Sequence, residues 1–334
     1  MPELRLNVIT HDWVIMADER AKRPDQFVTK KVLAPQLPRH DRACPFCTGN
    51  EGQTLTESFR LEGRDGWSVR VVPNKYPALS LEGPRQRGGG GMFRSLSGVG
   101  VHEVIIEHPR HDLTTALMDV PHVADIIRAY RQRYAEIRRD PRIEAIIIYK
   151  NHGESAGTSL IHPHSQLAAI PVVPFQVRAR IAEATRYFDE HGECIFCRVL
   201  RDELTAGTRI VAESKHFVAF IPYAALSPFH TWIYPRRHVS SFDDITDEEV
   251  VDFAGILRTV LAKLYHGLND PDYNYSIRSI PTDERYTDYF HWYLTIIPRV
   301  TKTAGFEFGS GMFINTSLPE ESAEFLRDVN HLRP

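Results

Sequence analysis

The chain has 334 residues, 42% of them hydrophobic, with a formal net charge of −3. That length supports two ordinary cores, and no apolar run approaches the ~18–20 residues of a bilayer-spanning helix. The mild negative charge argues against a general nucleic-acid binder, and Met1 to Arg5 lack a basic segment leading into an apolar stretch. A cytoplasmic protein with no membrane and no nucleic-acid partner is the expectation.

In chain order, a basic cluster at Arg20, Lys22 and Arg23 precedes the first of two C-x-x-C pairs, Cys44/Cys47. The run Asn74-Lys75-Tyr76-Pro77-Ala78-Leu79 follows, then glycines 88 to 91, which read as a mobile loop near a site. An apolar strand, Val104-Ile105-Ile106, runs to Pro109-Arg110-His111. After it, Val123, Ile126, Ile127, Tyr130, Tyr134 and Ile137 mark a helix by their spacing of three and four. Ile146 to Tyr149 and His162 to Ile170 read as two more strands, and Pro171 and Pro174 mark a join.

The second half repeats this plan. It opens with Cys194/Cys197 and continues with Trp232-Ile233-Tyr234 running to Pro235-Arg236-Arg237-His238. A helix begins at the capping pair Thr246/Glu249, and strands follow at Tyr273 to Ile280 and His291 to Ile297. The duplication predicts an α+β protein of two domains, 1–173 and 174–334, each an antiparallel sheet with packed helices.

All four cysteines lie in the two C-x-x-C pairs, a spacing used by metal sites and by redox dithiols. A redox role fits poorly, because neither pair opens a thioredoxin-like βαβ pattern. Structural zinc takes four N or S ligands. The repeat offers His111 and His162 to complete Cys44 and Cys47, and His238 and His291 to complete Cys194 and Cys197. With no vertex left for water, such a metal is architectural and pins the strand that carries His164.

His162-Pro163-His164-Ser165-Gln166 is the most informative segment. On a strand, residues two apart share a face, so one imidazole can hold metal while the other, with the Gln166 amide, meets a substrate. A neutral imidazole is a competent nucleophile toward phosphorus, and its cationic adduct remains a good leaving group. Gln166 can donate to a phosphoryl oxygen but cannot act as acid or base. Upstream, Asn151 to Ser159 form a small polar turn whose backbone N–H groups can approach an anion.

Taken in order, Arg20 to Pro24, Cys44 to Cys47, Asn74 to Leu79, Asn151 to Gln166 and the tail from Phe306 to Asn315 resemble the galactose-1-phosphate uridylyltransferase family, the transferase branch of the histidine-triad superfamily. The resemblance implies two histidine-triad-like domains, a cytoplasmic homodimer and a covalent nucleotidyl-histidine on His164. It also implies zinc on Cys44, Cys47, His111 and His162, with a second zinc on Cys194, Cys197, His238 and His291 in some relatives. By the same resemblance Gly157 and Ser159 contact phosphates, Asn74 and Asn151 contact the nucleotide, and Arg20 and Arg23 lie near the nucleotide sugar. The superfamily's hydrolases carry a third histidine at the position of Gln166, so the glutamine favours transfer. The partners implied are a nucleotide sugar and a hexose 1-phosphate, or phosphate.

Around Phe306 the family's sugar-phosphate segment comes from the partner subunit. The phenylalanine and Gly309 align here, while the family's lysine, tyrosine and glutamate do not. This segment looks more like ADP-glucose phosphorylase-type relatives. Transfer of uridylyl from UDP-glucose to galactose 1-phosphate is the working reading, with an adenylyl-transferring phosphorylase using the same histidine as the alternative.

Overall fold

A computed structural model describes residues 2–17, 23–28, 37–64 and 66–330. The first half contains β1 (Glu3–Asn7), β2 (Asp12–Met16), β3 (Phe59–Gly63), β4 (Gly66–Pro73), β5 (Arg87–Gly90), β6 (Phe93–Leu96), β7 (Val101–Ile106), α1 (Val120–Ile137), β8 (Ala145–His152) and β9 (His164–Ile170). The second half adds α2 (Phe175–His191), α3 (Ile195–Ala206), β10 (Ile210–Glu213), β11 (Phe217–Phe220), β12 (Thr231–Pro235), α4 (Asp247–Leu268), β13 (Tyr273–Arg278), β14 (Tyr293–Pro298), α5 (Gly305–Ser310), β15 (Phe313–Asn315) and α6 (Pro319–Asp328). None of these helices is long and apolar enough to cross a membrane.

The two long helices start where their caps dictate. The Asp119 carboxylate accepts the His122 N–H at 2.9 Å to open α1. Thr246 and Glu249 form a reciprocal capping box at α4, with bonds of 3.2 and 2.9 Å. The apolar positions that mark α1, from Val123 to Ile137, are all buried. They meet Val250, Phe253, Leu257 and Val260 of α4 in one core against the sheet.

That sheet has ten strands in the order β10-β11-β12-β14-β13-β8-β9-β7-β4-β3, with every pairing antiparallel. Each half contributes five strands in the same internal order, and the halves join edge to edge through β8 and β13, where Asn151 faces Asn274 and Tyr149 faces Ser276. The duplication is therefore real, but it yields one continuous sheet rather than two separate ones. A small sheet, β1-β2-β15, ties the N-terminal hairpin to the tail.

The second half buries the other face of its five strands under α2 and α3, with Phe196, Trp232, Tyr234 and Tyr293 packed together. Over the first half, the corresponding face carries the Cys44–Cys47 knuckle on Val72, Val104 and Ile106. The glycine run expected as a mobile loop is instead the β5–β6 hairpin, pairing Gly88 with Ser95 and Gly90 with Phe93. Glycines have no side chains to compete with that pairing, so backbone bonds alone organise it.

Candidate active site and metal centre

The Cys44–Cys47 knuckle, His111 after β7 and His162 before β9 converge. Their ligand atoms all lie within 4.8 Å of one another, and all four residues are buried. Cys47 Sγ is 3.6 Å from Nδ1 of both His111 and His162, and those two nitrogens are 3.4 Å apart. His162 Nε2–H donates to the His108 carbonyl at 2.7 Å, since a carbonyl oxygen can only accept. Its Nδ1 lone pair is thereby aimed at the cluster. Burial pushes His162 down to about 4 and raises the Cys44 thiol to about 11. A neutral imidazole beside desolvated thiols is a donor set that can hold a metal cation.

His162 stands in a bend just ahead of β9 rather than on the strand, because a ligand must lean toward the knuckle. His164 is the first strand residue and is buried. Its Nδ1–H donates to the His162 carbonyl at 2.8 Å, which fixes the tautomer and leaves the lone pair on Nε2. Burial, reinforced by nearby Lys150, lowers its pKa, so the ring is neutral at pH 7. The Phe46 ring lies edge-on to it at 5.6 Å. Behind the strand, the buried Lys150 ammonium pairs with Glu107 and donates to the His164 carbonyl at 3.2 Å. Tyr130, Thr115, Ser165 and, from the second half, Tyr275 complete that network.

Gln166 shares the His164 face, between Val104 and Tyr149 of the neighbouring strands. Its Oε1 accepts from His102 Nε2 at 2.9 Å and from the Tyr149 hydroxyl at 3.0 Å. Asn74 lies against the same His102, with Nδ2 at 3.3 Å. Asn151 is held from across the seam, its Oδ1 accepting from Asn274 Nδ2 at 2.9 Å. Sequence reasoning passed over His102, Tyr149 and Asn274, which touch the site only through strand register.

The turn after β8 differs from its anion-binding expectation. The N–H groups of Ala156 and Thr158 bond Gly153, that of Gly157 bonds Glu154, and that of Ser155 bonds the Asp272 carboxylate. These amides are spent inside the fold, leaving side chains such as Asn151 as the donors. Gly153 (φ +86°) and Gly157 (φ +89°) shape the turn, and a Cβ on Gly153 would sit 1.9 Å from Asp272 Oδ1. Ser159 is exposed at the end of this turn, and His152 is structural, bonded to Asp270 and stacked on Tyr273.

The remaining expected residues lie apart from this cluster. Arg23 is exposed at the start of a 3-10 turn, and Arg20 falls outside the described residues. Phe306 is 45% exposed on α5, which packs beside β15. In the second half, Cys194, Cys197 and His238 form a second mutual cluster. His291 reaches Cys197 Sγ at 3.4 Å without joining the mutual set, and His238 is 3.2 Å from the same sulfur. Strand pairing places Tyr293 and Thr295 where the first half has His164 and Gln166, so the second half keeps metal-type ligands and lacks that histidine and glutamine.

The family models described as the N-terminal and C-terminal domains of galactose-1-phosphate uridyl transferase match residues 1–174 and 180–331. The chain belongs to this family of transferases. It is 40% identical to ADP-glucose phosphorylase of Arabidopsis thaliana, over 98% of this chain and 93% of that protein. It is 30% identical to galactose-1-phosphate uridylyltransferase of Thermotoga maritima, over 98% and 99%. A crystal structure of the Arabidopsis ADP-glucose phosphorylase with bound ADP-glucose superposes with a TM-score of 0.84 at 36% identity, covering 99% of each chain. A uridylyltransferase structure superposes at 0.76 and 26%, covering 98% of this chain and 97% of that one.

Proposed function

We propose that the chain is a ping-pong nucleotidylyltransferase acting on sugar 1-phosphates, with His164 as the residue that carries the nucleotide. The observation that carries this reading is the bond from His164 Nδ1–H to the His162 carbonyl, 2.8 Å, on a buried imidazole that stays neutral. Its Nε2 lone pair attacks the α-phosphorus of a nucleotide sugar, forming an N–P bond as the sugar 1-phosphate leaves. An oxygen of the acceptor then forms a P–O bond as N–P breaks, and the imidazole recovers its electron pair. Gln166, Asn151 and Asn74 supply side-chain N–H donors, with Gly157 and Ser159 at the phosphate end.

Two donor and acceptor pairs fit this chemistry. UDP-glucose with galactose 1-phosphate is the pair the nucleophile segment implies. ADP-glucose with phosphate is the pair that the greater identity to the Arabidopsis enzyme favours. Incubation with either donor, without acceptor, is expected to add one nucleoside monophosphate to the protein's intact mass, and the donor that reacts names the base. Absence of an adduct from both donors, with no label exchange into hexose 1-phosphate, refutes the reading.

The metal we assign to Cys44, Cys47, His111 and His162 is zinc. Bonds of about 2.3 Å to sulfur and about 2.0–2.1 Å to nitrogen in a tetrahedron separate S from N by about 3.6 Å and N from N by about 3.3–3.4 Å. The spacings of 3.6, 3.6 and 3.4 Å support that choice. Cys194, Cys197, His238 and His291 are the second zinc set. When bound, the ion supplies a rigid anchor for the strand behind His164. We assign the domains to 1–173 and 174–334, and the protein to the cytoplasm, where cysteines stay reduced and available to a metal. Phe306, half exposed on α5, is the residue we assign to the site of a partner subunit in a homodimer, with Arg23 near the nucleotide sugar.

A further inference from the structure

His102 is the one site histidine with no part in metal or nucleophile chemistry, yet it sits at the crossing of three site residues. Its Nδ1 is 3.2 Å from the Ala78 N–H, while its Nε2 is 2.9 Å from Gln166 Oε1 and 3.3 Å from Asn74 Nδ2. A neutral imidazole carries one N–H. Placing it on Nε2 makes the bonds to Ala78 and Gln166. Placing it on Nδ1 sets two donors against each other at Ala78 and two acceptors at Gln166, keeping only the longer contacts from Asn74 Nδ2 at 3.3 Å and the Tyr149 hydroxyl at 3.4 Å. The Nε2–H tautomer therefore wins.

Gln166 Oε1 then has both lone pairs occupied, one by His102 and one by Tyr149. The amide cannot turn over without losing two hydrogen bonds, so its NH2 is the end presented to a phosphate. An oxygen with no lone pair to spare also cannot accept a proton or hydrogen bond from water. The second half carries a histidine at the matching position but bonds it differently. Strand pairing places His230 where His102 stands and Thr295 where Gln166 stands. There the Trp232 indole N–H donates to His230 Nε2 at 3.0 Å and Thr295 Oγ1 lies 2.7 Å from the same nitrogen, so no N–H is available to brace the residue at the Gln166 position. The brace on Gln166 is therefore particular to the first half.

We propose that His102 is a positioning residue which locks the Gln166 amide as a phosphate donor and thereby keeps the nucleotidyl group on His164 for the acceptor sugar phosphate or phosphate instead of water. This rests on the nucleotidyl-His164 reading. The test uses the full chain with the donor that forms the adduct, and measures the partition of nucleotide between acceptor and water. In His102→Phe, Gln166 is free to turn. Free nucleoside monophosphate should rise several-fold relative to transfer, and kcat for transfer should fall about tenfold or more with little change in KM. His102→Gln, whose amide can still donate to Gln166 Oε1, should restore the partition. Tyr149→Phe should move it the same way by a smaller factor.

An adduct in the native protein, with His102→Phe leaving partition and kcat unchanged, overturns this inference alone. His102→Gln as impaired as His102→Phe, or a Tyr149→Phe variant that partitions like the native protein while His102→Phe is unfolded, also overturns it. No adduct in the native protein removes the premise of both readings.

Discussion

Replacing Lys150 by methionine tests the network behind His164. Lys150 is 2% exposed and its partner Glu107 is 0% exposed. Removing the ammonium leaves a fully buried carboxylate with neutral hydroxyls to solvate it, those of Tyr130 and Thr115 at 3.2 and 3.1 Å and that of nearby Ser165. Breaking one side of such a pair costs about 3–5 kcal/mol. With a urea m-value near ~3 kcal/mol/M for a chain of this size, the midpoint should fall by about 1–1.7 M. Glu107→Gln in the same chain removes the stranded charge and keeps an acceptor for one hydroxyl, while its NH2 can donate to the other hydroxyl's oxygen, so the double variant should recover most of the loss.

The pH dependence follows from the same pair. Burial alone raises the Glu107 carboxyl, and in the native chain the Lys150 ammonium overcomes it and holds the carboxyl below its usual value. A depressed folded pKa gives stability that is present above the ordinary carboxylate range and lost as pH falls through the depressed value. Without Lys150 burial wins, the sign reverses, and Lys150→Met should gain stability relative to the native chain as pH drops from 7.5 toward 5. Equal midpoints for the single and double variants, or a Lys150→Met deficit that does not change with pH, would refute the reasoning.

His164→Ala should abolish the mass adduct and label exchange, with a fall of at least ~10³ in kcat, while circular dichroism stays native. His162→Asn, which keeps a polar side chain but loses the imidazole ligand, should release one zinc equivalent by metal analysis and lower the thermal midpoint by several degrees. Gly157→Ala forces a non-glycine residue to φ +89° at a cost of about 1 kcal/mol, read in urea, whereas Gly153→Ala should cost more because it also collides with Asp272.

The elements that were legible in the sequence are those set by local pattern. The caps of α1 and α4, the apolar spacing of Val123 to Ile137, the two C-x-x-C knuckles and the shared face of His164 and Gln166 each depend on neighbours within a few positions. What stayed hidden depends on register between distant strands. His102 meets Gln166 because Val104 pairs with Gln166 and Ala168 pairs with His102, a diagonal that no spacing along the chain reveals. The matching of His102 with His230 was present in the repeat, two residues before Val104 and Trp232, and could have been found there. The spent amides of the Asn151–Ser159 turn were equally out of reach, since Asp272, which takes two of its donors, lies over a hundred positions away.

The seam between β8 and β13 has a consequence for any attempt to separate the halves. Each of those strands shows its neighbour a row of backbone donors and acceptors that nothing else in the described chain satisfies. Severing the polypeptide between β9 and α2 would bare one raw border on each fragment, and each border would template aggregation. The second half, with Tyr293 at the register position of His164, thereby closes the sheet for the first half and holds Asn151 through Asn274.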